Sequence, residues 1–372
     1  MCNEIYKNAL QEERREYMQE DSLLGFRLIP DTKYCYLRDS PLPAEAFITN
    51  KQGFTSIGQS DFYYNRLKEK DVYRIIIIGG STVWGVGTPS PEESLPARIQ
   101  ISLNKRYPNK KFEVINAGVG GYSTRNELLY LMSELVYYKP DLVISYGGWN
   151  DATFNGMMSR KNREDINGLK TPNHLDIDTH FKQDRDILKT FSLFLGNLNN
   201  VFHDNLSWSA THKIIDRNVN KRNLILRPIM YENSTNSERP LFDESSISLY
   251  ESNLKMEIMV SKVFKFNIAI FLQPIMGVSN RILTQEELNY YKADEVGFPI
   301  KQEFYSRAGQ VIKKLKNEYT LDGEVCAVNI SKSLDEIKET VYNDVGHLYA
   351  NGNEAVANQI IDELVICKII RP

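Results

Sequence analysis

The sequence predicts a three-layer α/β fold on a parallel sheet, and two observations carry that prediction. Short apolar runs are continuous rather than alternating and are rich in β-branched residues, the pattern of strands buried on both faces. Segments of helical periodicity lie between them, so strand and helix alternate along the chain, which implies right-handed crossovers over one sheet.

Five runs read as strands: residues 73–78, 112–116, 142–146, 268–273 and 325–330. Helical patterns follow the first, second, fourth and fifth of them, at residues 91–106, 125–138, 304–319 and 352–367. In sheets of this kind ligands collect beyond the carboxyl ends of the strands, so functional residues are expected in the loops there.

Two regions depart from the repeat. Residues 1–70 form a lead-in rich in Tyr, Pro and Gly, read as an irregular N-terminal extension packed on a core domain of residues 71–372. Residues 152–245 form a long polar insertion after the third strand. It mixes Lys213, Arg217, Lys221, Arg222 and Arg227 with Phe191, Phe194, Phe202 and Trp208. An insertion at the carboxyl edge reads as a lid or substrate platform, with a purely structural excursion as the alternative.

Composition narrows the function classes. The 372 residues are 42% hydrophobic, enough for a full core, and 45 basic residues stand against 48 acidic ones. That balance lacks the positive excess with which nucleic-acid binders neutralise phosphates. No apolar stretch approaches the roughly 20 residues that span a bilayer. The first residues are polar with no apolar leader, so the chain as written reads as cytoplasmic, an exported location being the alternative. Cys2, Cys35, Cys326 and Cys367 are far apart with no CxxC pair, which predicts reduced thiols and no metal site.

Four short segments carry chemistry. The first strand ends in Gly79-Gly80-Ser81-Thr82, where two glycines permit a sharp turn and leave the serine hydroxyl uncrowded. A phosphate loop or an ordinary turn would look similar, although the lysine of a P-loop is absent. Gly118, Gly120 and Gly121 follow the second strand, where a bare backbone N–H could meet an oxyanion or a helix could simply pack closely. The third strand runs into Gly147-Gly148-Trp149-Asn150-Asp151, in which Asn150 either donates to the same oxyanion or caps a helix. Near the C-terminus, Asp344 stands three residues before His347, close enough to fix the imidazole tautomer that accepts a serine proton. The remaining histidines, His174, His180, His203 and His212, all lie in the insertion, which leaves His347 as the base on the strand-end frame.

These segments resemble the conserved blocks of the SGNH hydrolases, also called the GDSL esterase/lipase family. The matching blocks are IIIIGGSTVWGVG, NAGVGGYS, GGWND and DVGH, in the family's order. The resemblance implies a flavodoxin-like five-stranded SGNH hydrolase fold, with Ser81 as nucleophile, His347 as base and Asp344 as its orienting carboxylate. It also implies an oxyanion hole of the Ser81 backbone N–H, Gly121 and Asn150. Gly80 stands where the family has the aspartate of Gly-Asp-Ser, which marks a subfamily.

The expected activity is hydrolysis or transfer of an acyl group, O-acetyl included, from a small-molecule, carbohydrate or lipid ester through an acyl-serine. No cofactor or metal is implied. The alternatives are an O-acyltransferase using the same residues and a non-catalytic binding protein on the same fold.

Overall fold

The strands that carry the expected site each hold an unbroken apolar stretch, and burial on both faces explains why. Ile75, Ile76, Ile77 and Ile78 are all fully buried, as are Leu142, Val143 and Ile144. The computed structural model describes residues 17–36, 45–59, 62–155, 242–293, 297–319 and 323–371.

Two antiparallel pairs come first: β1 (Met18–Asp21) with β2 (Gly25–Leu28), and β3 (Lys33–Tyr36) with β4 (Glu45–Ile48). The main sheet comprises β5 (Val72–Gly79), β6 (Lys111–Asn116), β7 (Leu142–Gly147), β8 (Asn267–Leu272) and β9 (Val325–Asn329). Its order is β6-β5-β7-β8-β9 and every pairing is parallel. The expected five-stranded parallel sheet is therefore present, with strand ends shifted by no more than a residue.

The helices are α1 (Ser81–Trp84), α2 (Leu95–Arg106), α3 (Thr124–Ser133), α4 (Ser245–Phe264), α5 (Gln285–Ala293), α6 (Phe298–Tyr319) and α7 (Ala350–Ile366). Helices α2 and α7 pack together on one side of the sheet; α3, α4 and α6 pack on the other. Helix α4 was not expected. Its buried stripe of Tyr250, Leu254, Ile258 and Ser261 includes Glu257, and a charged residue on the inner face obscures the apolar period.

Register places the site. Ile77 pairs with Asn116, Gly79 with Tyr146, Gly147 with Leu272, and Leu272 with Asn329. All five strands thus end along one edge. The chain leaves β5 toward β6 and leaves β7 toward β8, so the two connections part in opposite directions and open a crevice beyond β5 and β7.

The structure corrects two expectations. Among the described residues, the lead-in is not simply irregular, since it holds the two strand pairs. Its aromatic residues are anchored on the core: Phe47 stacks on Trp84 at 4.3 Å, and Phe54 meets Tyr138 edge-on at 5.1 Å. The second correction concerns the thiols. Cys326 and Cys367 form a disulfide with Cα atoms 5.7 Å apart, across a sequence separation of 41. Cys326 lies in β9 and Cys367 caps α7, so folding of the last strand and helix brings together residues whose spacing gives no hint of pairing. Of the 152–245 insertion, residues 156–241 lie outside the described residues, and the lid or platform expected there lies outside them too.

Candidate active site

Strand β5 hands the chain to α1 through Gly80, and Ser81 is the first residue of that helix. Helix geometry leaves the N–H of Ser81 with no acceptor in its own helix. The Ser81 hydroxyl is 2.7 Å from Nε2 of His347, and Nδ1 of His347 is 2.7 Å from Oδ2 of Asp344. Residues separated by 266 positions thus make one hydrogen-bonded chain of hydroxyl, imidazole and carboxylate.

Asp344 is bound on its other oxygen as well. Oδ1 accepts the backbone N–H of Gly346 at 2.9 Å and of His347 at 2.8 Å, so the carboxylate braces its own loop while it meets the imidazole. That loop closes on itself: Asn343 N–H donates to the His347 carbonyl at 2.8 Å, and Tyr349 N–H to the Val341 carbonyl at 2.8 Å. Trp149 stands edge-on to the imidazole at 4.8 Å, and a side chain added at Gly346 would come within 2.5 Å of the Trp149 ring. Trp149 therefore packs against both residues and limits the orientations open to His347.

The loop is anchored from below. Arg281 donates to Glu287 at 2.6 Å, and also to the carbonyls of Ile337 at 3.1 Å and Glu339 at 2.6 Å. Glu287 in turn accepts the N–H groups of Val341 and Tyr342 at 3.0 and 3.2 Å. Sequence reasoning missed this pair, because an Arg and a Glu six residues apart in a polar stretch carry no sign of burial.

The two other expected residues lie in the loops after β6 and β7. Gly121 has φ of +84°, which a side chain would strain, and it opens the turn that leads into α3. Asn150 donates its side-chain amide to the Tyr122 carbonyl at 2.7 Å. An amide carries two N–H groups, so one remains after that bond. A Cβ at Gly80 would lie 2.3 Å from that amide nitrogen. Glycine in place of the family's aspartate is thus matched to a close approach of Asn150.

Behind these loops lies a group of buried acids that the sequence did not reveal. Burial pushes Asp151 up to about 6, against the lowering effect of hydrogen bonds from Thr124. Glu127 and Glu257 are raised too, by burial first and also by neighbouring carboxylates, with only the Ser145 hydroxyl as donor between them. No group of His, Cys, Asp and Glu among the described residues has the arrangement of a metal site.

Residues 77–197 match the GDSL-like Lipase/Acylhydrolase family. That stretch of the chain is similar to a GDSL-like domain. Comparison with curated proteins gave no match. Among solved structures, this GDSL-like chain is similar to a two-domain esterase active on acetylated mannans, at 14% identity and a TM-score of 0.39, covering 81% of this chain and 50% of that one. It spans about half the length of that esterase. It is also similar to Axe2, an acetylxylan esterase from Geobacillus stearothermophilus, at 13% identity and a TM-score of 0.41, covering 78% of this chain and 94% of that one. A third is the lipase Lip_vut3 from a goat rumen metagenome, at 12% identity and a TM-score of 0.41, covering 78% and 96%.

Proposed function

We propose that the chain is a serine esterase in which Ser81 attacks an ester carbonyl while His347 accepts its proton and Asp344 holds the imidazole. The observation that carries this reading is the unbroken chain Ser81–His347–Asp344, with both hydrogen bonds at 2.7 Å. As Ser81 Oγ bonds to the carbonyl carbon, its proton passes to Nε2, and the oxyanion that forms takes donors from the Ser81 N–H, Gly121 and the second Asn150 N–H. Collapse of that intermediate expels the alcohol, which takes the proton from His347. Water activated by the same imidazole then releases the acid and restores Ser81.

The substrate is an acyl ester, O-acetyl included, of a carbohydrate, lipid or other small molecule. Transfer to a polyol or sugar in place of water uses the same residues, and faster ester cleavage on adding such an acceptor would favour it. The buried Cys326–Cys367 bond favours the exported alternative over a cytoplasmic setting, since disulfides persist in oxidising compartments.

Ser81→Ala tests the core of the proposal. It should abolish cleavage of p-nitrophenyl acetate and labelling by a fluorophosphonate while leaving the thermal transition in place, because Ser81 is half-buried at the start of α1 and is not part of the core. A variant within a few-fold of wild type in pure form would sink the assignment.

A further inference from the structure

The residue after Asn150 is also bound to the loop that Asn150 touches. Asp151 is buried, at 1% exposure, and its Oδ1 accepts the Thr124 hydroxyl at 2.6 Å. Its two oxygens lie 3.4 and 3.3 Å from the Thr124 backbone N–H. Thr124 is the first residue of α3, so that N–H has no acceptor within its own helix and needs one from elsewhere. Asp151 supplies it from another strand end. Asn253 of α4 donates to the Thr124 hydroxyl at 3.1 Å, which leaves that hydroxyl's own proton for Asp151 and sets the direction of every bond in the chain Asn253, Thr124, Asp151.

Two consecutive residues after β7 therefore grip the loop after β6 at two points: Asn150 through the Tyr122 carbonyl, Asp151 through Thr124. Gly121 is the residue before the first point. We infer that Asp151 is a positioning residue that holds Asn150 and Gly121 in register with one another, so that their N–H groups converge on one oxygen. This rests on the proposed oxyanion role of Asn150 and Gly121. Asp151 itself meets neither substrate nor the reacting atoms. It acts through Asn150, and its loss should look like a partial loss of Asn150.

The test is a double-mutant cycle on p-nitrophenyl acetate, with Asp151→Ala and Asn150→Ala made singly and together. Asp151→Ala should lower kcat by about ten-fold or more with KM within roughly two-fold, since small displacements of a positioned donor are costly. In the Asn150→Ala background the same substitution should cost less than about three-fold, because residues that act as a unit are not additive. Equal losses in both backgrounds would overturn the inference. Thr124→Ser, which keeps the hydroxyl, should retain the wild-type kcat, while Thr124→Val should match the Asp151→Ala loss; a fully active Thr124→Val counts against it. These two variants also serve if Asp151→Ala does not fold. Hydrogen exchange of the Thr124 amide provides a readout without catalysis: it should accelerate in Asp151→Ala relative to wild type, and unchanged exchange would overturn the inference. If wild type neither cleaves the ester nor takes up a fluorophosphonate, the esterase reading fails, and the exchange measurement still decides whether Asp151 holds the loop.

Discussion

Glu287 and Glu257 are both closed off from solvent, Glu257 the deeper in the fold, and their carboxyls shift in opposite directions. Burial acts to raise Glu287, but hydrogen bonds from Arg281, Thr284, Val341 and Tyr342 outweigh it and hold the carboxyl below its ordinary range. Glu257 has burial and the charge of Asp151 against it, with only Ser145 in its favour, and it is raised. Donors set against depth decide whether a buried carboxyl stays charged. The two lie beneath different halves of the site. Glu287 braces the segment that leads to Asp344 and His347, and Glu257 lies with Glu127 behind the β7 exit.

Asp344 collects N–H donors from Gly346 and His347, and the largest effect should come from altering it. In Asp344→Asn the amide must turn its NH2 either toward the Gly346 and His347 N–H groups or toward Nδ1 of His347. The first sets donor against donor; the second favours the wrong imidazole tautomer. A loss of up to ~10⁴ in kcat follows by analogy with serine-protease triads, with little change in KM. Steady-state kinetics on one small ester would check it, and an unchanged rate would remove Asp344 from the mechanism.

Glu287→Gln sharpens the comparison next. It leaves Arg281 as a buried cation without its counter-charge, which should cost on the order of 3–5 kcal/mol in unfolding free energy. Because the folded pKa of Glu287 lies below its unfolded value of 4.5, its contribution is present above that value and lost as the pH falls through the folded one. The variant should therefore lose stability at neutral pH and become less sensitive to acid. Denaturant melts at pH 7 and below would show both.

Glu257→Gln should have the smallest effect and the opposite pH signature. Glu127 and Glu257 have folded pKa values raised above 4.5, so the folded protein binds more protons than the unfolded chain on the alkaline side of that value. Stability is then fully present below the unfolded pKa and lost as the pH rises through the folded values, with Asp151 adding to the same trend up to about 6. A neutral amide at 257 should flatten that decline, by on the order of 1 kcal/mol for each tenfold difference in proton affinity between the folded and unfolded carboxyl that it removes. A Tm that falls between pH 5.5 and 8.5 as steeply in Glu257→Gln as in wild type would show that this pair does not control it.

Much of the frame was legible because its causes are local. A strand buried on both faces must be apolar at consecutive positions, and residues 75–78, 142–144 and 325–328 are. A serine after two glycines at a strand end, and an Asp three residues before a His, are short-range patterns, so Ser81, Asp344 and His347 could be named before their contact was known. The block GGWND contained Asp151 in plain view, yet its partner Thr124 stands 27 residues earlier, and nothing in either segment signals the pairing.

What the sequence determined by itself, then, was the run of strands and helices and the residue types at the strand ends, since each follows from the chemistry of a few neighbouring positions. Tertiary structure alone decided the partners: the Cys326–Cys367 bond, the Arg281–Glu287 anchor, the seating of Phe47 on Trp84, and the opposite fates of Glu287 and Glu257. Each of those depends on which donors, thiols or rings the folded chain brings within a few ångströms, and most are set by segments far apart in the chain, packed together only when the sheet and its helices close around one core.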